Sequence, residues 1–121
     1  MERPLHIKNS NTILYCENWQ QTMEFYRDKL KLSINYESNW FVEFKLTDTA
    51  HVSIANESRA TIKSGKGAGI TLTFEVEDIN QTWQYMKNNG ISLDPIKDKW
   101  GSSVFYFRDP EGHRIEVWST K

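Results

Sequence analysis

The chain repeats itself at a fixed offset. Gln21-Thr22 recurs as Gln81-Thr82, Trp40 recurs as Trp100, and Trp19 matches Ile79, each pair 60 positions apart. Each copy is then about 55–60 residues, too short to bury much of a core alone. The 121 residues therefore read as one domain, 1–121, made of two similar modules packed together.

Within each copy the hydrophobic spacing names the elements. Residues 11–17 alternate, with Thr12, Leu14 and Cys16 on one side and Asn11, Ile13 and Tyr15 on the other, the period of a strand. Asn18 is placed to cap a helix, and Trp19, Thr22, Met23, Tyr26 and Leu30 follow at helical spacing. Residues 32–36, 40–46 and 51–55 read as strands, with turns at Glu37-Ser38-Asn39 and Asp48-Thr49. In the second copy Ile70, Leu72, Phe74 and Val76 alternate, and Asp78 caps a helix striped by Ile79, Thr82, Trp83 and Met86. Gly90 is placed to end that helix, and strands are expected near 91–97, 102–107 and 113–118. Trp19, Met23, Trp83 and Met86 read as helix-to-sheet core.

The expected fold is α+β: two βαβββ modules forming a curved mixed sheet around a concave pocket, helices outside. Module one covers about residues 11–56, a linker 57–68, and module two about 69–119. The linker ends in Gly65-Lys66-Gly67-Ala68-Gly69. Its glycine spacing, the lack of a following Gly-Lys-Ser/Thr and the strand that comes next argue against a phosphate loop and for a flexible joint.

Composition removes several function classes. Fifteen basic and sixteen acidic residues leave no electrostatic footprint for nucleic acid or an anionic membrane. No apolar run approaches the ~20 residues of a membrane span. Residues 1–10 lack an apolar signal core, so a cytoplasmic protein is expected. Cys16 is the only cysteine, which excludes an internal disulfide and a cysteine-rich zinc site.

One residue then stands out. Phe105 to Trp118 reads as two strands joined by a turn at Asp109-Pro110-Glu111-Gly112. Ile115 and Val117 share one face of the second strand, so Arg114, Glu116 and Trp118 share the other. A carboxylate in mid-strand belongs either to a solvated face or to a pocket wall. The apolar strand faces must meet the helices, which directs the opposite faces into the concavity. Asn11, Ile13 and Tyr15 then point inward from one strand, and Thr71, Thr73 and Glu75 from its counterpart. Arg114, Glu116 and Trp118 do so from the last strand, with His51, Ser53 and Ala55 at the equivalent place in module one. Such a mixed polar and aromatic cup suits a small molecule. In the competing reading Glu75 and Glu116 sit solvated at its rim.

Two such modules, the helix motif Phe25-Tyr26-Arg27-Asp28-Lys29-Leu30, and Phe107-Arg108-Asp109-Pro110-Glu111-Gly112 before Ile115-Glu116 resemble the vicinal oxygen chelate superfamily. That group includes glyoxalase I, bleomycin-resistance proteins, fosfomycin-modifying enzymes and extradiol dioxygenases. The resemblance spans about residues 11–118 and implies the fold more firmly than any one chemistry. In its metal-dependent members four inward strand positions hold the metal. Carried over by register, those positions are Asn11, Ser53 or Ala55, Thr71 and Glu116. Amide, hydroxyl and methyl groups beside one carboxylate are poor ligands for a transition metal, which favours three or more imidazole or carboxylate donors. His51 shares the inward parity of Ser53, and Glu57 is the other residue that could restore a site. His113 is the residue after the turn glycine, and His6 lies in the lead-in.

The resemblance thus implies a metal-independent binder of the bleomycin-resistance kind, with no cofactor and a small-molecule ligand. Tyr15, Trp40, Glu75, Trp100, Arg114, Glu116 and Trp118 are the candidate contacts, and Glu116 is the candidate base if the protein catalyses a reaction. The alternatives are a metal-dependent lyase, isomerase or dioxygenase with an atypical ligand set, and a subunit whose concave face serves assembly or regulation. A homodimer is a further implication of the resemblance.

Overall fold

The period-two stretches become strands and the helical stripes become helices, in the same order in both halves. A computed structural model describes residues 4–120. The chain divides into two compact units, Met1–Ser64 and Gly65–Lys121. The first contains β1 (Ser10–Cys16), α1 (Trp19–Glu24), β2 (Ser33–Glu37), β3 (Phe41–Lys45) and β4 (Ala50–Asn56). The second contains β5 (Thr71–Glu75), α2 (Ile79–Asn88), β6 (Lys97–Lys99), β7 (Ser102–Arg108) and β8 (Arg114–Thr120). Each unit holds one four-stranded mixed sheet, in the order β1-β4-β3-β2 and β5-β8-β7-β6. In each the first strand runs parallel to the last, and the remaining neighbours are antiparallel. The fold is therefore α+β, with two βαβββ modules.

Core formation follows the predicted faces, except that Trp19 and Trp83, expected in the core with Met23 and Met86, are only half-buried. Leu14, Cys16, Val52 and Ile54 are buried on the sheet of the first unit, with Met23 and Tyr26 buried on its helical segment. In the second unit Phe105, Phe107, Ile115 and Val117 are buried, with Ile79 and Met86 from α2. The tryptophans of the two helices tie themselves down by their ring N–H groups. Trp19 donates to the Ile54 carbonyl and Trp83 to the Asp94 carbonyl, both at 2.9 Å. The first helix does not stay α-helical: from Phe25 to Lys29 it widens into a π turn, closed by the Leu30 N–H on the Phe25 carbonyl at 3.0 Å.

Three local expectations are corrected. Asp78 caps α2, its Oδ1 accepting from the Gln81 N–H at 3.0 Å, but Asn18 makes no side-chain capping bond to α1. The strand expected near 91–97 is instead a shorter and later one, Lys97–Lys99. Pro95 has no N–H to give a ladder, and Asp94 is held instead by its backbone N–H on the Tyr106 carbonyl at 3.0 Å. The glycine-rich stretch is not a free joint. Gly67 is buried at φ +85°, and a Cβ there would lie 2.2 Å from the carbonyl of Gly112. Ahead of it, Glu57 accepts the Ser64 N–H at 2.8 Å, and Lys63 donates to the carbonyls of Glu57 and Ala60.

Candidate ligand-binding site

The ladder of the second unit sets three side chains in a row. Glu116 on β8 pairs with Thr73 on β5 and with Tyr106 on β7. Side chains directly opposite on one face are close enough to bond. The Thr73 hydroxyl donates to Glu116 Oε1 at 2.7 Å. That bond holds the Glu116 carboxyl below its ordinary value, against partial desolvation and with help from the Tyr106 hydroxyl, Arg114 and Lys99. Glu116 is thus an anion at neutral pH and a weaker base than a free carboxylate. Next to it, Arg114 donates through Nε to Thr71 Oγ1 at 3.0 Å, and its guanidinium lies 4.7 Å over the Tyr106 ring.

Beside Glu116 opens a recess of about 200 Å³, lined by Lys99, Trp100, Ser102, Val104, Glu116 and Trp118. Trp118 is half-buried, whereas Trp100 is 92% exposed. Trp100 and Gly101 form the two-residue loop between the paired Lys99 and Ser102, with φ of 50° and 77°. Two positive φ values in a two-residue hairpin are the mark of a type I′ turn, which favours Asn-Gly. A bulky aromatic at such a φ is strained, and this one is not compensated by burial. Trp100→Asn is accordingly expected to raise stability by about 0.5–1 kcal/mol, since asparagine tolerates the left-handed region. Urea unfolding would test this; a lowered midpoint would show that the indole packs more than its exposure indicates.

The first unit carries a different network on the equivalent face. Ser53 stands where Glu116 stands, paired with Ile13 and Glu43 as Glu116 is with Thr73 and Tyr106. The carboxylate here is therefore on β3. Glu43 accepts from the Asn11 amide at 3.4 Å and from the Asn35 amide, and Ser53 Oγ donates to Asn11 Oδ1 at 2.8 Å. An open recess of about 380 Å³ lies over Asn9, Ser10, Asn11, Asn35, Glu43 and His51, among others.

At the four positions carried over from metal-dependent relatives, each side chain is already engaged within its own unit. Asn11 and Ser53 are bonded to each other, and the Thr71 hydroxyl already accepts a guanidinium N–H. Glu116 has cations and hydroxyls around it rather than imidazoles. Among the described residues no three His, Cys, Asp or Glu side chains form a group that could hold a metal. His51 neighbours Asn11 in the ladder, His6 is exposed, and Glu57 is engaged in its own loop. His113 is buried against Asp109, with Nδ1 2.8 Å from Oδ2.

Of the candidate ligand contacts, the second unit brings Trp100, Glu116 and Trp118 together around one recess, with Arg114 alongside through Tyr106. Glu75 is exposed one row further along, opposite Trp118 in the ladder. Tyr15 and Trp40 belong to the first unit: Tyr15 is half-buried on β1, and Trp40 precedes β3, edge-on to Phe41 at 5.6 Å between centroids. Sequence reasoning did not single out Lys99, Tyr106, Asn35 or Glu43 as site residues. Strand alternation places Tyr106 on the right face, but only the cross-strand register shows that it meets Glu116.

Comparison with known proteins agrees with this architecture. The family model of the glyoxalase-like domain matches residues 9–120. The chain is 29% identical over 119 residues to the uncharacterized protein YraH of Bacillus subtilis, covering 87% of this chain and 92% of that protein. Its fold matches a glyoxalase/bleomycin resistance protein/dioxygenase from Nocardioides with a TM-score of 0.79 at 17% identity, over 99% of this chain and 85% of that one. It also matches TnmS3, an antibiotic binding protein from Streptomyces, with a TM-score of 0.78 at 12% identity over 100% of both chains. At these identities the two solved structures speak to fold alone.

Proposed function

The chain belongs to the glyoxalase-like domain family, and on that premise we propose that it is a metal-independent small-molecule-binding protein of the bleomycin-resistance kind. The ligand is a planar cation, held on the Glu116 face of the second module. One observation carries the reading: an anionic Glu116, fixed by the Thr73 hydroxyl, shares a recess with Trp118 and the exposed, strained Trp100. Indole faces attract cations and stack on flat rings, and a carboxylate adds the opposite charge. A carboxyl held below its ordinary value suits charge recognition better than proton abstraction at neutral pH, for which a raised value would serve. Antibiotic binding by TnmS3, a protein of the same fold, is consistent with a binding role for this scaffold. No helix among the described residues is long and apolar enough to cross a membrane. We take the protein to act in the cytoplasm, and to do so as a homodimer, the latter as the family resemblance implies.

Calorimetric titration with N-methylquinolinium tests the proposal. The wild type is expected to bind saturably, and Glu116→Gln to bind roughly tenfold more weakly, the scale of losing a charged partner. Equal affinity in the two proteins, or no binding by the wild type, would refute it. The pH dependence has a fixed sign. Because the folded-state value of Glu116 is depressed, its anion persists to lower pH than that of an ordinary glutamate. Binding should therefore hold from neutral pH downward and fade only as pH falls through that depressed value. The stability contributed by the same shift is present above the unfolded value and lost over the same acid window. Thr73→Val removes the main cause of the depression and should move the loss of binding to higher pH.

A further inference from the structure

We infer that Lys99 is a built-in competitor for the cationic ligand of this recess, its own ammonium occupying the place that the ligand's charge would take. The inference rests on the reading of the recess as a cation site and adds what selects among cations. Lys99 Nζ lies 5.0 Å from the centroid of the Trp100 ring and 5.9 Å from that of Tyr106. It lines the same recess as Glu116, and its charge acts on that carboxylate. Two aromatic rings and an anion are the elements of a cation cage. Here a lysine of the same chain reaches into it from the end of β6, a strand of only three residues whose ladder joins it to β7 alone.

A second cation flanks the cage on its Tyr106 side and also acts on Glu116. Arg114 bonds Thr71 and stacks over Tyr106, and it is absent from the lining of the recess. Lys99 is exposed, so its side chain can leave for solvent without uncovering a core. An exposed ammonium over an aromatic ring is weakly held, so an incoming cation displaces it at small cost. A primary ammonium is strongly hydrated, whereas a delocalised or quaternary cation is less so and stacks over a larger area. Lys99 therefore weakens binding of every cation but leaves flat, poorly hydrated ones best able to displace it. A neutral ring has no charge to place in the cage and does not compete for it.

The test compares N-methylquinolinium with neutral quinoline at pH 7.5, by calorimetry, on wild type, Lys99→Met, Lys99→Arg and the double variant Lys99→Met/Glu116→Gln. Lys99→Met is expected to bind N-methylquinolinium about three- to tenfold more tightly than wild type, the range set by losing one exposed cation–π contact and one like charge. Quinoline affinity should change by less than about twofold on that scale. Lys99→Arg puts a flatter, less hydrated cation over the rings and should bind the ligand no more tightly than wild type, and the double variant should lose the gain. If wild type binds the cation but Lys99→Met binds it equally or more weakly, Lys99 is not a competitor, although the recess remains a cation site. If wild type does not bind it, the reading beneath the inference fails, and the inference with it. A gain that survives in the double variant also overturns the inference, since the freed place would not depend on Glu116.

Discussion

Asp109→Ala is expected to lower the unfolding free energy by about 3–5 kcal/mol, the scale for removing one member of a buried hydrogen-bonded pair. The Asp109 side chain is completely buried. Its Oδ1 accepts the backbone N–H groups of Glu111, Gly112 and His113 at 3.0, 2.9 and 2.9 Å. Its Oδ2 lies 2.8 Å from His113 Nδ1, whose ring is also buried. One carboxylate thus satisfies most of the polar groups of the β7–β8 turn. Alanine would leave several buried donors with no acceptor at about 1–3 kcal/mol each, partly relieved by the Gly112 N–H that also reaches the Asp109 carbonyl. Asp109→Asn keeps the Oδ1 acceptor and asks only that the imidazole change tautomer, so it should lose about 1–2 kcal/mol. Urea unfolding of the three proteins would show this order. Equal losses for the two variants would mean that charge, rather than the acceptor geometry, holds the turn. The same turn leads straight into Arg114 and Glu116, so a ligand that reads those side chains should bind Asp109→Ala poorly as well.

The second large effect is predicted at Gly67, where alanine should cost about 3 kcal/mol or more. An L-residue at a left-handed φ loses roughly 1–2 kcal/mol from its own sterics. At Gly67 the new Cβ would also meet backbone, at 2.2 Å from the carbonyl carbon and oxygen of Gly112 and 2.6 Å from the His113 nitrogen. Backbone cannot rotate away as a flexible side chain can, so the turn held by Asp109 must shift. The approach is mutual: a Cβ on Gly112 would lie 2.7 Å from the Lys66 carbonyl oxygen. Gly69 is the internal control. It has φ +76° but nothing within 4 Å of a built Cβ, so Gly69→Ala should show the conformational loss alone. If the two alanine variants unfold at the same denaturant concentration, the interlock of the two loops contributes nothing.

Much of the molecule is legible in the chain itself. Alternation in residues 11–17 and the stripe from Trp19 to Leu30 report on neighbours two to seven positions away, and that is the range over which strand and helix are decided. The same local parity put Arg114, Glu116 and Trp118 on the face opposite Ile115 and Val117, as the burial confirms. Where local signals are thin, residue type alone misleads. Asn18 has the right residue type for a cap but makes no capping bond, and Pro95 shortened the strand before β7.

The identity of the strands, the helices and their order was determined by the sequence alone, because periodicity is a property of short windows. The company each site residue keeps was decided only by the tertiary structure. Thr73 reaches Glu116 across 43 positions of chain, and Glu43, rather than Ser53, carries the acid of the first module. Gly67, read from its neighbours as a hinge, is held against Gly112. Contacts of that kind depend on the register between strands and on how closely two backbones approach, and neither quantity leaves a periodic trace in the chain.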